Sequence, residues 1–123
     1  MILVDTSVWI DHLRQGDATL AHLLAAGQVV THEAVIGELA LGHLTNRPAV
    51  LSALQNLAQL NPASAVETLL FIETQSLFGK GIGYVDASLL AALRLNPSVL
   101  LWTRDQRLLA ESTRLGLSAH IVH

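Results

Sequence analysis

The chain opens with Ile2-Leu3-Val4-Asp5-Thr6-Ser7, an apolar run that ends on an acid and two hydroxyl residues. Similar short apolar runs recur along the chain, with longer helical patterns between them. They predict buried strands over residues 2–5, 28–31 and 98–102, and a last edge strand over 118–122. Because continuously apolar strands separated by helices are typical of a parallel sheet covered on both faces, we predict a single α/β domain over residues 1–123. Its parallel central sheet is expected to have about four to five strands flanked by helices.

Start and stop signals place the helices between these strands. Capping residues and prolines tend to begin helices, and glycines tend to end them. Helices are predicted over residues 6–14, 17–26, 33–44, 48–57, 64–78, 84–95 and 103–115. Two of these starts have the pattern of a capping box, Ser64 with Glu67 and Thr103 with Gln106. The glycine-rich loop 79–83 could cradle a phosphate or serve as a plain connector.

The composition narrows the class of protein. The chain has no Cys, which excludes a disulfide framework and a thiolate metal site. No apolar run reaches the roughly 18 residues that a membrane span needs, and no basic region opens a signal peptide. We therefore expect a cytoplasmic protein without a membrane partner. A net charge of −3 and 4% aromatic residues give no general attraction to nucleic acid, so such a role must rest on a local site.

Four of the ten acidic residues lie among apolar residues: Asp5, Glu38, Asp86 and Asp105. A carboxylate in such surroundings is costly unless it is hydrogen-bonded, paired or bound to a metal. Asp5 and Asp105 follow predicted strands. Asp86 lies in the first turn of its helix, and Glu38 lies about one and a half turns into another. Because strand ends and the first turns of crossover helices share one edge of a parallel sheet, all four carboxylates are expected to meet there.

The chemistry of this expected cluster points to a hard cation. Oxygen ligands without Cys or His suit Mg²⁺ or Mn²⁺, which can activate water and stabilise charge on a phosphate. The hydroxyls of Thr6, Ser7 and Thr103 could orient the carboxylates or a metal-bound water. Helix N-termini at the same edge also favour a phosphate.

Each acid also has an ordinary structural interpretation. Asp5 could cap a helix, and Asp86 and Asp105 could stabilise the first turns of theirs. Glu38 is the hardest to explain in this way, because it lies inside an apolar helical stretch. The four residues together favour a functional site over four separate structural roles.

Two other acids have simpler expected partners. Asp11 can pair with Arg14, three residues further along a helix. Glu111 can pair with either Arg107 or Arg114. These ion pairs are expected to support helices and not to form part of the site.

The residues around the four acids resemble the motifs of the PIN domain, and specifically those of VapC-type toxins from type II toxin–antitoxin pairs. The stretches that carry the resemblance are ILVDTSVWI (2–10), VIGEL (35–39), GIGYVDASLLA (81–91) and WTRDQRL (102–108). The match runs over nearly the whole chain, and four motifs in this order are specific. The resemblance implies a Mg²⁺-dependent ribonuclease that is dimeric and is neutralised by a VapB-type antitoxin.

The resemblance also assigns roles to residues. It carries the family's acidic roles over to Asp5, Glu38, Asp86 and Asp105. We predict that Asp5 and Asp86 hold the main metal, and that Asp105 and Glu38 complete its ligand shell or orient water. The chain is poor in basic residues, with 7 Lys and Arg, which favours a narrow RNA target over broad degradation. The surplus of apolar residues is expected to form a dimer interface and an antitoxin groove between helices 6–14 and 48–57.

Two other functions stay open on the sequence. A phosphatase with Asp5 as its nucleophile would carry a second acid two residues on, where this chain has Ser7. A non-catalytic binding module could use the acids to hold a structural ion. We predict the metal-dependent endoribonuclease, because it accounts for all four acids together.

Overall fold

The computed structural model describes residues 1–121 and contains a parallel sheet. Within that range its strands are β1 (Ile2–Val4), β2 (Val29–Thr31), β3 (Ala58–Gln59) and β4 (Leu100–Trp102). The order across the sheet is β3-β2-β1-β4, and every pairing is parallel. The predicted α/β class and the parallel sheet of about four strands are therefore confirmed.

Helices connect the strands. They are α1 (Thr6–Gln15), α2 (Ala18–Ala25), α3 (Glu33–Ala40), α4 (Arg47–Gln55), α5 (Ala65–Thr74), α6 (Tyr84–Arg94) and α7 (Gln106–Arg114). The capping box of Ser64 and Glu67 opens α5 as predicted, with hydrogen bonds of 2.8 and 3.0 Å. Helices α3 and α5 each end four residues earlier than predicted. No helix among residues 1–121 is long and apolar enough to cross a membrane.

Two strand predictions need correction. No sequence pattern indicates β3, whose two residues are both exposed and form no apolar run. It exists because its backbone pairs with Val30 and Thr31 of β2. The expected edge strand over 118–122 is only a single parallel bridge between Leu101 and Ser118, and residue 122 lies outside the described part of the chain.

The second predicted capping box is wrong. Asp105, not Thr103, caps α7, and its Oδ1 accepts the amides of Arg107 and Leu108 at 3.0 Å each. Thr103 still belongs to the segment that leaves β4. Its buried hydroxyl donates to Asp5 and accepts the amide of Asp105, so it does not cap the first turn of α7.

The hydrophobic core surrounds β1, one of the two inner strands, and helix α6. Leu3 and Val4 of β1 are fully buried. Helix α6 is buried on most of its surface, as its nearly all-apolar sequence predicts, and it packs against α5. A rigid core of this kind fixes the positions of the residues that follow β1 and β4 and of the first turn of α6.

Candidate active site

Asp5 is the anchored acid of the candidate site. It follows β1, caps α1 and is 5% exposed. Its Oδ2 accepts the hydroxyls of Ser7 at 2.7 Å and of Thr103 at 2.8 Å, and the Ser7 amide at 3.4 Å. Its Oδ1 accepts no hydrogen bond from residues 1–121 and is not among the fully buried polar atoms. One oxygen is therefore held by the protein, and the other is open to a ligand.

The two hydroxyls that hold Asp5 are themselves held by the turn between β4 and α7. The Arg104 amide donates to Ser7 Oγ at 3.0 Å, and the Asp105 amide donates to Thr103 Oγ1 at 3.1 Å. The Asp5 amide in turn donates to the carbonyl of Trp102 at 2.9 Å. This network joins the ends of two neighbouring strands, so Asp5 and the turn that carries Asp105 are positioned as one unit.

Glu38 is placed differently from the sequence prediction. It is exposed, because the buried face of α3 is formed by Val35 and Leu39 and Glu38 lies beside that face. The Thr6 hydroxyl donates to Glu38 Oε1 at 2.7 Å, which ties the start of α1 to α3. Oε2 accepts no hydrogen bond from residues 1–121. Glu38 is therefore not buried among the apolar residues that surround it in sequence.

Asp86 and Asp105 lie at helix starts, as their structural interpretation predicts. Asp86 is half-buried in the first turn of α6, and its Oδ2 accepts the Gly83 amide at 3.3 Å. Asp105 is exposed and uses only Oδ1 to cap α7. Each of them, like Asp5, keeps one carboxylate oxygen without a donor among the described residues. Helix capping and ligand binding are therefore compatible in all three.

The charges of the four acids act on one another. Burial raises the pKa of Asp86 above its ordinary value, and the Gly83 amide lowers it in part. The negative charges of Asp5, Asp105 and Glu38 raise the pKa of Asp86 further. All four carboxylates are thus within electrostatic reach of one point, although no three acidic or histidine side chains within residues 1–121 already have the arrangement of a metal site.

None of the four acids has a cation within ion-pair distance among residues 1–121. The ion pairs of that region join Arg104 to Asp11 and Asp17, and Arg114 to Glu111. The predicted pair of Glu111 with Arg114 is confirmed. A carboxylate whose pKa is raised by burial and by neighbouring acids that have no cation partner, as for Asp86, is typical of a site that binds a cation or catalyses a reaction.

The predicted pairing of Asp11 with Arg14 is wrong. Asp11 instead accepts the Arg104 guanidinium at 2.7 Å, which also binds Asp17 at the start of α2 and lies over the Trp102 ring. Arg104 is the partner of Asp11 because the turn after β4 places it against α1, whereas Arg14 lies beside a groove. The sequence spacing of Asp11 and Arg14 could not reveal a competitor 93 residues away.

That groove, of about 620 Å³, lies between α1, α3 and the segment that opens α4. Ile10 and Leu13 of α1 form part of its wall and are 40% and 38% exposed. Glu38 lines it as well, so it reaches the candidate acids. The groove predicted from the sequence lies between the first helix and the helix over 48–57, but that second helix contributes only Val50, and α3 and residues 42–46 form the rest of that side.

The fold and these acids define a PIN domain. The family model described as "PIN domain" matches residues 2–112, and the chain belongs to that family. It is 46% identical over 118 residues to "Ribonuclease VapC32" of Mycobacterium tuberculosis strain CDC 1551 / Oshkosh, covering 96% of this chain and 95% of that protein. The VapC32 of strain H37Rv matches to the same extent, at 46% identity. The expected membership of the VapC group is confirmed.

Two solved structures share the fold. One is PAE2754 from Pyrobaculum aerophilum, with a TM-score of 0.61, 19% identity and coverage of 94% of both chains. The other is Mycobacterium tuberculosis VapC20, described as a sarcin-ricin loop cleaving toxin, with a TM-score of 0.61, 20% identity and coverage of 95% of this chain and 96% of that one. At such identities the likeness extends to the fold alone.

Proposed function

We propose that this protein is a metal-dependent endoribonuclease, the toxin of a toxin–antitoxin pair. The observation that carries the proposal is that Asp5, Asp86, Asp105 and Glu38 interact electrostatically, have no cation partner within residues 1–121 and each keep a carboxylate oxygen without a donor. The name of the 46% identical relative, a ribonuclease, supports the same activity. The cytoplasm is the compartment expected from the sequence.

The residues present fit Mg²⁺ or Mn²⁺. The free atoms are carboxylate oxygens, which these hard cations prefer, and no softer Cys ligand competes. Asp5, Asp86 and Asp105 would hold the ion, and the exposed Asp105 side chain can adjust toward it more easily than buried Asp5. A bound divalent cation supplies an acidified water and offsets negative charge on the phosphate.

The chain's own residues would orient the reaction. Ser7 and Thr103 fix Oδ2 of Asp5, so its other oxygen keeps one direction. Thr6 holds Oε1 of Glu38, which leaves Oε2 to orient the attacking water and to accept its proton. Attack of that water on phosphorus breaks the bond to the 3′ oxygen, which takes up a proton from solvent, and the products are a 5′-phosphate and a 3′-hydroxyl.

The groove beside Glu38 is the site we propose for the antitoxin. An amphipathic helix could place its apolar side chains on Ile10 and Leu13, in the mode by which many partners bind a groove. An arginine of that partner could reach Glu38 and neutralise the acids by charge-assisted hydrogen bonds. Binding there would block the active site and cover the exposed apolar wall.

A different surface suits a homodimer. Val66, Leu69 and Leu70 of α5 are 77%, 59% and 63% exposed, and their spacing places them on one side of the helix. Leu95, at the end of α6, is 54% exposed. We propose that two copies cover these apolar side chains against each other, separately from the groove.

The test is RNA cleavage by wild type, Asp86→Asn and the control Glu73→Gln, an exposed acid of α5. Wild type and the control should cleave RNA with Mn²⁺ and stop in EDTA, whereas Asp86→Asn should be inactive. Calorimetric Mn²⁺ titration should show binding to the first two proteins and much weaker binding to the third. Undiminished cleavage in EDTA, or by Asp86→Asn, would refute the proposed mechanism, and a covalent aspartyl phosphate would favour the phosphatase.

A further inference from the structure

Arg107 contacts both segments that carry Asp105 and Asp86. Arg104 and Arg114 are paired with acids, Arg47 donates to the Gly42 carbonyl, and Arg94 donates to the Leu115 carbonyl. Arg107 is exposed, has no carboxylate within ion-pair distance among residues 1–121 and is fixed directly beside the candidate site. Its charge is therefore available to a ligand at a defined place.

Two contacts fix Arg107. Its backbone amide donates to Asp105 Oδ1 at 3.0 Å, and its guanidinium Nη1 reaches the Gly81 carbonyl at 3.4 Å. Two residues beyond Gly81, the Gly83 amide donates to Asp86 Oδ2 at 3.3 Å. Arg107 thus spans the two segments that carry Asp105 and Asp86, and the single long bond of its guanidinium leaves most of its donors unused.

Gly81 makes room for this guanidinium. A Cβ at position 81 would lie 2.9 Å from Nη1, 3.0 Å from Cδ and 3.1 Å from Cζ of Arg107. Gly81 also has φ +78°, in the region that favours glycine. Gly79, in the same loop, has a similar φ of +72° but nothing within 4 Å of an added Cβ. Of these two glycines, only Gly81 lies against the Arg107 side chain, so a methyl group there would displace the guanidinium from this position.

We propose that Arg107, seated on Gly81, binds an RNA phosphate beside the bond that is cut and thereby positions the substrate. This rests on the proposed ribonuclease function. An RNA backbone approaching four carboxylates is repelled by their charge, which a nearby cation offsets in part, and a guanidinium matches phosphate oxygens in a bidentate way. The glycine-rich loop then provides the surface against which the Arg107 side chain packs. Neither alternative considered from the sequence, a phosphate cradle or a plain connector, included that role.

The experiment measures binding of a mixed-sequence single-stranded RNA oligonucleotide over a range of salt concentrations, in an Asp86→Asn background that does not cleave it. Arg107→Gln should weaken binding about tenfold, the factor expected for one charge-assisted hydrogen bond. The slope of log affinity against log salt should fall by about 0.7, the value for one phosphate contact on a single strand. Arg107→Lys should keep the slope, because it keeps the charge.

Matched variants separate position from general effects. Gly81→Ala should reproduce the weaker binding, whereas Gly79→Ala, with the same kind of backbone strain, should bind like the background. Arg94→Gln removes the same charge at the far end of α6 and should also have no effect. Thermal melts of every variant check folding, and exposed Arg107→Gln keeps the test valid if Gly81→Ala does not fold.

The outcomes distinguish this inference from the function on which it rests. Unchanged affinity and slope for Arg107→Gln, or equal behaviour of Gly81→Ala and Gly79→Ala, would overturn the role of Arg107 while wild-type cleavage and Mn²⁺ binding stand. Loss of RNA binding by Arg94→Gln as well would reduce the effect to net charge and overturn it too. A wild type that neither cleaves RNA nor binds Mn²⁺ would overturn the proposed function itself.

Discussion

Replacing Asp86 by Asn removes one charge from the candidate cluster while keeping the shape of the side chain. Within residues 1–121 the Asp86 carboxylate accepts one hydrogen bond, from Gly83, and an amide oxygen can keep it. What the variant loses is the half-buried charge that Asp5, Asp105 and Glu38 repel. Without metal, Asp86→Asn should therefore be as stable as wild type or more stable near neutral pH.

The pH dependence has a definite sign. Because the native pKa of Asp86 is raised, the folded protein binds this proton more tightly than the unfolded chain, whose ordinary value is 3.8. The resulting stability is fully present below that value and is lost as pH rises through the raised native pKa. The difference in free energy of unfolding between wild type and Asp86→Asn should accordingly develop as pH rises from 3.8 through the raised native pKa, and should stay constant at higher pH.

Bound metal should reverse the order of stability, so that wild type becomes more stable than Asp86→Asn. A ligand at a hundredfold excess over its dissociation constant stabilises the folded state by about 2.7 kcal/mol. For a domain of this size, that corresponds to a rise in melting temperature on the order of 10 °C. Wild type should show this gain with Mn²⁺, and Asp86→Asn should lose most of it, because one of the three proposed ligands no longer carries a charge.

The assay is a set of thermal melts in EDTA and in Mn²⁺ at several pH values, with Glu73→Gln as the control for removing an exposed acid. A structural acid predicts the opposite result, since leaving its hydrogen-bond partners unsatisfied costs about 1–3 kcal/mol. If Asp86→Asn is clearly less stable in EDTA and wild type does not respond to metal, Asp86 is structural and the reasoning is refuted.

Two further variants test the network and the dimer. Thr103→Val removes a buried donor to Asp5, and it should lower the free energy of unfolding by about 1–3 kcal/mol and weaken Mn²⁺ binding about 10–100-fold in denaturation and calorimetric titrations. Unchanged Mn²⁺ affinity would limit Thr103 to a structural role. Leu70→Glu should convert a dimer to a monomer in sedimentation. The control is Leu41, which is 90% exposed at the end of α3, and Leu41→Glu should leave the dimer intact. Identical sedimentation of both variants would exclude the α5 surface as the interface.

The order of strands and helices could be predicted because its signals are local. The apolar run before Asp5 is enough to indicate a buried strand, and the capping box at Ser64 is enough to begin a helix. Chain direction alone then places the ends of β1 and β4 at one edge of a parallel sheet. The prediction that four acids far apart in sequence lie near one another follows from these local patterns without any knowledge of contacts.

Contacts between distant segments could not be predicted in this way. Burial depends on which face of an element packs against the core, so only Asp5 is buried among four acids that all have apolar neighbours in sequence. Strand β3 depends on backbone pairing with β2 and has no side-chain signal. The sequence by itself thus determined the elements, their direction and the edge where the acids lie. Only the tertiary structure decided that Asp11 pairs with Arg104 and not with Arg14, and that the Arg107 guanidinium lies against Gly81. Both contacts depend on which side chains the fold brings together.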